Sequence, residues 1–318
     1  MVRRLAPLLL LAVAACTAAP AQEAGPANRS AGGETPTIVS LNPCSDAILV
    51  EVAEPQQILA ISAYSHDPAG SSMDLATARR FQAVSGTVEE VLALKPDLVI
   101  GSTFTPPAAV HAMGRLGLRL ERFGVAATVE ESEAQVRQIA ALAGHPERGE
   151  ALIARIRAAL AANRAPAGAA VSALVWQSGG IVPGDNTLVA DLLRRTGFAN
   201  AAAARGLGQA DMLPLEQVLA DPPRLIFAAS HGAGNEDRML AHPALAKLDR
   251  TRRETLDPAL LWCGGPTIIR AAERLGQVRR SFRASTSSAG AGAKKALLPP
   301  NPLSLSLSKA ATHTERSK

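Results

Sequence analysis

Short apolar runs alternate with amphipathic stretches along most of the chain, and this alternation predicts its elements. The runs are short and apolar on both faces, which is typical of strands in a parallel sheet, and the stretches between them follow helical spacing. The pattern therefore indicates an α/β protein. Strands are predicted at Thr37–Leu41, Ile58–Ser62, Leu98–Ile100, Leu118–Phe123, Val171–Trp176 and Leu225–Phe227, and helices at Ala47–Ala53, Glu130–Ala143, Pro146–Asn163, Thr187–Thr196, Glu216–Leu219 and Thr267–Arg280.

Two stretches of the chain repeat each other. Residues 88–100 align with residues 215–227, and each reads as a short helix, a proline break and a buried strand. Repeats in solenoids are spaced much more closely, so the spacing favours two related lobes. A cleft between two lobes is a common place for a small ligand.

One helix is expected to connect these lobes. Pro146–Asn163 has apolar positions at helical spacing, and at 1.5 Å per residue it would span roughly 27 Å. The predicted fold is α/β, with two Rossmann-like lobes that carry parallel sheets and are joined by a single long helix. The expected segments are a signal peptide (1–21), a flexible tether (22–35), an N-terminal lobe (36–144), the connecting helix (145–165), a C-terminal lobe (166–283) and a disordered tail (284–318).

The N-terminus has the features of a secretion signal. Arg3 and Arg4 precede an apolar run, Leu5–Ala15, that is too short to span a bilayer. The run leads into Val13–Cys16, which resembles a bacterial lipobox in which Cys16 becomes the lipidated first residue. The alternative is cleavage after Ala19–Ala21. Both predict a protein that works outside the cytoplasm, in the periplasm.

Composition and charge narrow the classes of partner. The hydrophobic fraction of 47% is enough for a packed core. The formal net charge is +5, and residues 282–318, with six Lys or Arg and one Glu, account for all of it. The rest of the chain is neutral, so we expect no nucleic-acid partner. We expect a monomer.

The few aromatic residues supply candidates for ligand contact. Tyr64, Trp176 and Trp262 all fall at or just past predicted strand ends. Ligands of open parallel sheets bind outside the carboxyl ends of the strands, and large flat side chains there suit a planar, partly apolar ligand. The alternative is that the two tryptophans merely cover the sheet ends.

Histidine supplies little evidence for a metal site. His66, close to Tyr64, is a candidate for ligand contact or a plain surface residue. Four other histidines are scattered along the chain, and no His/Cys/Asp/Glu cluster has metal-ligand spacing. We therefore expect neither a bound metal nor a cofactor. These scattered residues are His111, His145, His231 and His242.

Cys44 and Cys263 lie beside predicted strand ends, one in each lobe. Three interpretations stay open: two free buried thiols, contact with the ligand, or a disulfide that would require the lobes to be close. Enzymatic activity is not expected, because the chain has neither a G-x-S-x-G turn nor a phosphate-binding loop. The alternative is an exported hydrolase with one of these thiols as the nucleophile.

Three motifs carry a family resemblance. Three segments resemble the periplasmic cobalamin-binding protein of ABC importers. They are residues 38–43, residues 61–68 (Ile-Ser-Ala-Tyr-Ser-His-Asp-Pro) and residues 89–100, which contain Ala-Leu-Lys-Pro-Asp-Leu-Val-Ile. More broadly, they resemble the iron-siderophore, haem and cobalamin receptors with a helical backbone. The resemblance covers about residues 36–280 and implies two α/β lobes joined by one long helix.

The resemblance also implies roles for individual residues. Two glutamates of the family dock onto arginines of the membrane permease, and they fall on Glu89 and Glu216. The cleft tyrosine of the family falls on Tyr64, an aromatic falls near Trp176, and residues 262–265 replace a cobalamin-contacting segment. The expected ligand contacts are Cys44, Tyr64, Ser65, His66, Trp176, Gln177, Trp262, Cys263 and Gly264.

The resemblance implies an extracytoplasmic binding protein that delivers a metal-chelate ligand to an ABC permease. Receptors usually bind ferric siderophores through cationic side chains. A haem receptor needs an axial Tyr or His, and Tyr64 and His66 are candidates for that ligand. The nearly uncharged set of expected contacts favours a corrinoid, with ferric siderophore and haem as alternatives.

Overall fold

The computed structural model describes residues 35–165, 168–230 and 240–295. Its main elements are two parallel sheets with helices packed on them, as the sequence predicts. The first sheet contains β1 (Ile38–Ser40), β2 (Ile58–Ser62), β3 (Ala83–Val84), β4 (Leu98–Ser102) and β5 (Leu120–Phe123). The second contains β6 (Val171–Gln177), β8 (Phe198–Asn200), β10 (Leu225–Ala229) and β11 (Arg252–Leu256). A short antiparallel pair, β7 (Ile181–Val182) and β9 (Asp211–Met212), extends from the second lobe.

The helices complete the α/β alternation. They are α1 (Pro43–Val52), α2 (Leu75–Ala78), α3 (Val88–Leu94), α4 (Pro107–Arg115), α5 (Val129–Leu142), α6 (Pro146–Ala162), α7 (Leu188–Arg195), α8 (Leu215–Ala220) and α9 (Thr267–Lys295). Helix α1 begins earlier than predicted, because Pro43 suits the first helical position and the Asn42 side chain accepts a hydrogen bond from the Cys44 N–H.

The two sheets share one topology. The strand order is β3-β2-β1-β4-β5 in the first and β11-β10-β6-β8 in the second. When β1 is matched with β6, β2 with β8, β4 with β10 and β5 with β11, these four strands have the same order in both sheets, and β3 is an additional edge strand of the first. The repeat seen in the sequence is therefore structural, since helix α3 with strand β4 corresponds to helix α8 with strand β10.

Helix α6 lies between the two sheets in the chain and joins the lobes. Its residues Leu152, Ile153 and Ile156 are buried in one apolar cluster that also contains Ile38 of the first sheet and Phe227 of the second. The predicted fold, with two α/β lobes and one long connecting helix, is confirmed. The shared core means that the lobes are not independent bodies.

The C-terminal end differs from the expectation. The backbone is helical as far as Lys295. Residues 284–295, which belong to the predicted disordered segment 284–318, are therefore the end of helix α9. The first part of that segment is rich in Ser and Ala, and such residues can extend a helix that tertiary packing has already nucleated. Residues 296–318 lie outside the described residues.

Candidate cleft between the lobes

A disulfide joins the carboxyl edges of the two sheets. Cys44 lies in the first turn of α1, just after strand β1, and Cys263 lies between strand β11 and helix α9. Their Cα atoms are 5.0 Å apart, and the bond links positions 219 residues apart in the chain. Of the three interpretations of these cysteines, the structure shows the bridge. Neither sulfur is a free thiol, so the alternative of a cysteine nucleophile is wrong.

Hydrogen bonds reinforce this junction. The Gly265 N–H donates to Ser132 Oγ of helix α5 at 2.7 Å, and Asp191 Oδ2 of helix α7 accepts from the Val129 N–H at 3.0 Å. The Arg270 guanidinium donates to the carbonyl oxygen of Ser72 in the first lobe. The lobes are therefore held together where their strand ends meet.

An ion pair completes the contact between α5 and α7. Arg195 donates to both carboxylate oxygens of Glu130 at 2.7 Å and to Asp191 Oδ2 at 3.0 Å. The hydrogen bond from Arg195 lowers the pKa of the Glu130 carboxyl. Because Glu130 is largely exposed, this ion pair adds little to the stability of the fold, and its main effect is to fix the position of α5 relative to α7.

Tyr64 stands on a short 3₁₀ turn directly after strand β2. The turn covers Ala63–His66, and the side chain of Ser62 accepts a hydrogen bond from the Tyr64 N–H at 3.3 Å. The Tyr64 side chain is 66% exposed. A large aromatic ring held on a tight turn at the carboxyl edge of a sheet is well placed for a ligand.

The neighbours of Tyr64 are less accessible than predicted. Ser65 is fully buried and donates to Asp46 Oδ2 at 2.7 Å, so its prediction as a ligand contact is wrong. The physical reason is that this hydroxyl satisfies a buried carboxylate. His66 is half-buried, and its Nε2 lies 3.1 Å from the carbonyl oxygen of Ala78, which ties the ring to helix α2.

Asp46 is a buried acid beneath the Tyr64 turn. Its Oδ2 accepts hydrogen bonds from the Ser62 N–H at 3.0 Å and from the Ser65 hydroxyl, and its Oδ1 has no hydrogen-bond partner among the described residues. Burial raises the pKa of this carboxyl to about 7, and the nearby hydroxyls of Ser40 and Ser65 and the Ser62 N–H oppose this rise. The local sequence around Asp46 does not reveal this burial, because it depends on how α1 packs beneath the Tyr64 turn.

The two tryptophans have different environments. Trp262 is 53% exposed, and its carbonyl oxygen lies 3.6 Å from Cys44 Sγ, so it stands beside the disulfide. Trp176 is fully buried, and its indole N–H donates to the Leu213 carbonyl oxygen at 3.2 Å. The prediction that Trp176 faces the cleft is wrong. Strand β6 continues through Gln177, and its pleat directs the Trp176 side chain into the core of the second lobe.

Two glycines let the Trp262 segment approach the first lobe. A Cβ on Gly264 would lie 2.3 Å from Ser132 Oγ, and one on Gly265 would lie 2.6 Å from Ile48 Cγ1. Gly265 also has a φ of 58°, which favours glycine. Gly264 was predicted as a ligand contact, and the structure gives it a packing role against α5. Gln177 is partly exposed at the end of β6, where ligand contact stays a prediction.

Other exposed apolar side chains were missed by the sequence analysis. Phe104 lies two residues after strand β4 and is 77% exposed, and Val125 lies two residues after strand β5. Ile181 and Met212 are exposed on the β7–β9 pair of the second lobe. The sequence signal for Phe104 was the same as for Tyr64, an aromatic residue just past a buried strand. In the first sheet the strand order reverses at β1, and loops on either side of such a point commonly meet a ligand.

Glu89 and Glu216 occupy matching positions. Each is the second residue of its helix, α3 or α8, and each is exposed. Neither has a hydrogen bond or an ion pair among the described residues. The adjacent Glu90, in contrast, accepts hydrogen bonds from Ser85 and Thr87 and closes the helix cap. These hydrogen bonds, led by the one from Ser85, lower the pKa of Glu90.

In residues 35–165, 168–230 and 240–295, no three His, Cys, Asp or Glu side chains converge as metal ligands. In the same ranges, no helix combines the length and apolar character needed to cross a bilayer. Cys16 and His231 lie outside the described residues.

Two α/β lobes with parallel sheets, joined by one helix and linked by a disulfide near their strand ends, have the architecture of a two-lobed binding protein. The sequence pattern of the periplasmic binding protein family matches residues 38–254, and the chain belongs to this family. Members bind substrates for import and are not enzymes, so a small-molecule ligand and an ABC permease are the partners that membership implies. No curated protein matches the chain in sequence.

Solved structures share the fold at low identity. The haem-binding protein RhuT from Roseiflexus sp. RS-1 is 22% identical, with a TM-score of 0.63 over 77% of this chain and 98% of its own. The haem-binding protein HutB of Vibrio cholerae is 17% identical, with a TM-score of 0.63 over 76% and 98%. The vitamin B12-binding protein BtuF of Vibrio cholerae is 20% identical, with a TM-score of 0.58 over 78% and 97%. At these identities the likeness establishes the fold alone.

Proposed function

We propose that this protein captures a planar metal chelate, with a corrinoid favoured, in the cleft between its lobes and delivers it to an ABC permease. The observation that carries the proposal is the exposure of Tyr64 on the first lobe and Trp262 on the second, at strand ends that the Cys44–Cys263 disulfide holds together. An aromatic side chain can bury about 150–250 Å², so two rings facing one ligand offer substantial apolar contact.

The uncharged character of the proposed contacts favours a corrinoid over a ferric siderophore. Tyr64, Phe104 and Trp262 are aromatic, and Gln177 is neutral. Ferric catecholates and hydroxamates are usually held by Arg or Lys, and none of these four positions provides a cation. A corrinoid presents a broad ring face to aromatic side chains and amide groups to polar ones.

Haem is the second candidate, and one observation favours it. The Tyr64 hydroxyl has no hydrogen-bond partner among the described residues, and a tyrosine oxygen can serve as an axial ligand of haem iron. His66 is a weaker axial candidate, because its Nε2 is already close to the Ala78 carbonyl oxygen. Several structures with this fold are of haem-binding proteins, among them BhuT with two haems.

One titration experiment tests the proposal and separates the candidates. The purified protein is titrated with cyanocobalamin, haemin and ferrioxamine, and binding is followed by tryptophan quenching and by absorbance. Tyr64→Phe keeps the ring and removes the oxygen, whereas Tyr64→Ala removes both. A corrinoid stacked on the ring is expected to bind Tyr64→Phe normally and Tyr64→Ala weakly. Haem ligated by the oxygen would lose its Soret shift in both variants. If none of the three ligands binds the wild type, the proposed ligand class is wrong.

We further propose that Glu89 and Glu216 dock onto basic pockets of the permease. Their support is the matching position, the exposure and the lack of a partner within the described chain, which leaves both carboxylates available. Two anions related by the repeat of the lobes suit a permease dimer with one basic pocket in each half. The exposed Glu273 on α9 offers a control of equal charge.

The proposed location is the periplasmic side of the membrane, with an anchor at Cys16. The support is the Val13–Cys16 sequence after an apolar run of signal length. Mass spectrometry of the N-terminal peptide of the exported protein tests this. A lipid-modified Cys16 is expected, and a chain that begins after Ala21 would show the alternative, a soluble periplasmic form.

A further inference from the structure

The first turn of helix α1 is linked to both exposed aromatic residues of the cleft. Asp46 accepts hydrogen bonds from Ser62 and Ser65, which flank Tyr64 on either side in the chain. Two residues earlier, Cys44 is bonded to Cys263, the neighbour of Trp262. One helical turn of the first lobe therefore has a direct link to the segment that carries each ring, although the rings belong to different lobes.

We infer that the first turn of α1 positions the ligand-binding rings, with Asp46 holding the Tyr64 turn and the Cys44–Cys263 disulfide holding the Trp262 segment. The inference rests on the proposed function, in which Tyr64 and Trp262 contact the ligand. Asp46 and the disulfide are positioning groups, since neither is argued to touch the ligand itself.

The Asp46 link adds to two local contacts of the Tyr64 turn, the hydrogen bond from the Tyr64 N–H to the Ser62 side chain and the contact of His66 Nε2 with the Ala78 carbonyl oxygen. The turn is four residues long, and the Tyr64 ring itself is mostly exposed. Two polar groups that flank Tyr64, the Ser62 N–H and the Ser65 hydroxyl, converge on one oxygen of a fully buried carboxylate. A buried carboxylate with two donors is costly to disturb, since each lost partner leaves a buried polar group unsatisfied.

The Trp262 segment is held by the disulfide and by contacts of Gly265 just after it. Gly265 packs against Ile48 of helix α1, and its N–H donates to Ser132 Oγ. The Trp262 side chain is 53% exposed, so its own packing holds it less firmly than the packing of Gly265 holds the backbone. The covalent bond at Cys263 therefore limits how far the backbone that carries this ring can move from the first lobe.

The amino-acid composition allows each ring to be observed alone. The chain contains one Tyr and two Trp, so fluorine-19 NMR gives one resonance from fluorotyrosine and two from fluorotryptophan. Trp176, fully buried and hydrogen-bonded to Leu213, is the internal control. Reduction of the disulfide, or the Cys44→Ser/Cys263→Ser variant, is expected to shift the Trp262 resonance and leave that of Trp176 unchanged.

The Asp46 link is tested in the same way. Asp46→Ala and Ser65→Ala are expected to shift the single Tyr64 resonance, and Asp46→Asn, which keeps an acceptor oxygen, is expected to restore it largely. Ser65→Ala keeps the test valid if Asp46→Ala does not fold. Gly149→Ala is the control for general destabilisation, because its added Cβ would lie 2.6 Å from Ala140 Cβ, at the opposite end of α5 from the junction. It is expected to move neither ring resonance.

Affinity provides the second readout. Releasing one ring is expected to weaken binding of the ligand identified in the titration about two- to tenfold, the usual effect of having to order one more side chain. An unmoved Trp262 resonance after reduction, or an unmoved Tyr64 resonance in Ser65→Ala, would overturn the inference. The inference would also be overturned if Cys44→Ser/Cys263→Ser and Ser65→Ala bound the ligand with unchanged affinity while Trp262→Ala bound it weakly. The NMR measurements need no ligand, so they remain decisive even if the proposed ligand class fails.

Discussion

The Asp191 side chain caps helix α5 from the opposite lobe: its Oδ2 accepts a hydrogen bond from the Val129 N–H at 3.0 Å. Asp191 is buried and also accepts from Arg194 and Arg195 on its own helix. Since α5 belongs to the first lobe and α7 to the second, the start of one helix depends on the other lobe. Because of this contact, the shared core and the disulfide, we expect the two lobes to move little relative to each other when a ligand binds.

Removing this cap should lower the stability of the whole molecule. Asp191→Ala leaves the Val129 N–H without a partner in a buried position, and we expect the free energy of unfolding to fall by about 1–3 kcal/mol. Asp191→Asn retains an acceptor and should lose less. Urea denaturation of the three proteins measures the differences. Equal midpoints for Asp191→Ala and the wild type would contradict the structural role given to this contact.

Loss of the exposed rings should weaken ligand binding without weakening the fold. Trp262→Ala and Phe104→Ala each remove a largely exposed side chain, so stability should change little. If each ring is a central ligand contact, affinity should fall about ten- to hundredfold, corresponding to about 1.4–2.8 kcal/mol. Isothermal titration calorimetry gives the affinities. Leu116→Ala, a large exposed apolar residue just after helix α4, is the matched control and should bind normally.

The two glutamates should affect transport and not binding. Glu89→Ala and Glu216→Ala are expected to bind ligand with wild-type affinity, and the double variant should abolish uptake of radiolabelled ligand by cells that carry the native permease. The reason is that these carboxylates are exposed and have no partner within the described chain. Glu273→Ala should transport normally. Uptake at the wild-type rate by the double variant would contradict the proposal that Glu89 and Glu216 dock onto the permease.

Asp46 should make stability depend on pH. Its pKa is raised from 3.8 to about 7 in the folded protein, so the folded state binds the proton more tightly than the unfolded state does. The favourable contribution is fully present below about pH 4, is lost as the pH rises towards about 7 and does not change further above it, with a total of about 4 kcal/mol. In Asp46→Asn this component is absent. Thermal unfolding at pH 5 and pH 8 should therefore show a smaller decrease for the variant than for the wild type, and equal decreases would refute this assignment.

The disulfide should contribute to stability as well as to position. It closes a loop with a sequence separation of 219, and the chain-entropy model gives about 5 kcal/mol for such a loop, near the upper end of measured values. We expect reduced wild type and the Cys44→Ser/Cys263→Ser variant to unfold at a similarly lowered urea concentration. Added reductant should leave the double variant unchanged. A midpoint that is the same for oxidised and reduced wild type would show that the bond is not formed in solution.

Local patterns predicted the elements of the fold well. Strand β2 has the predicted bounds Ile58–Ser62, and helix α6 begins at Pro146 as predicted, because apolar runs and proline positions act within a few residues. The equivalence of residues 88–100 and 215–227 also followed from the sequence, and the order of four strands that the two sheets share accounts for it. Lobe architecture was therefore accessible without coordinates.

What the sequence could not provide was the direction and the partner of individual side chains. Tyr64 and Trp176 both lie near the carboxyl ends of strands, yet only Tyr64 is exposed, because Trp176 is still within the pleat of β6 and Tyr64 is already on a turn. The pairing of Cys44 with Cys263 and the burial of Asp46 depend on how one lobe docks against the other. Such contacts join residues that are far apart in the chain. Local spacing determines which element a residue belongs to, and only tertiary packing decides what its side chain meets.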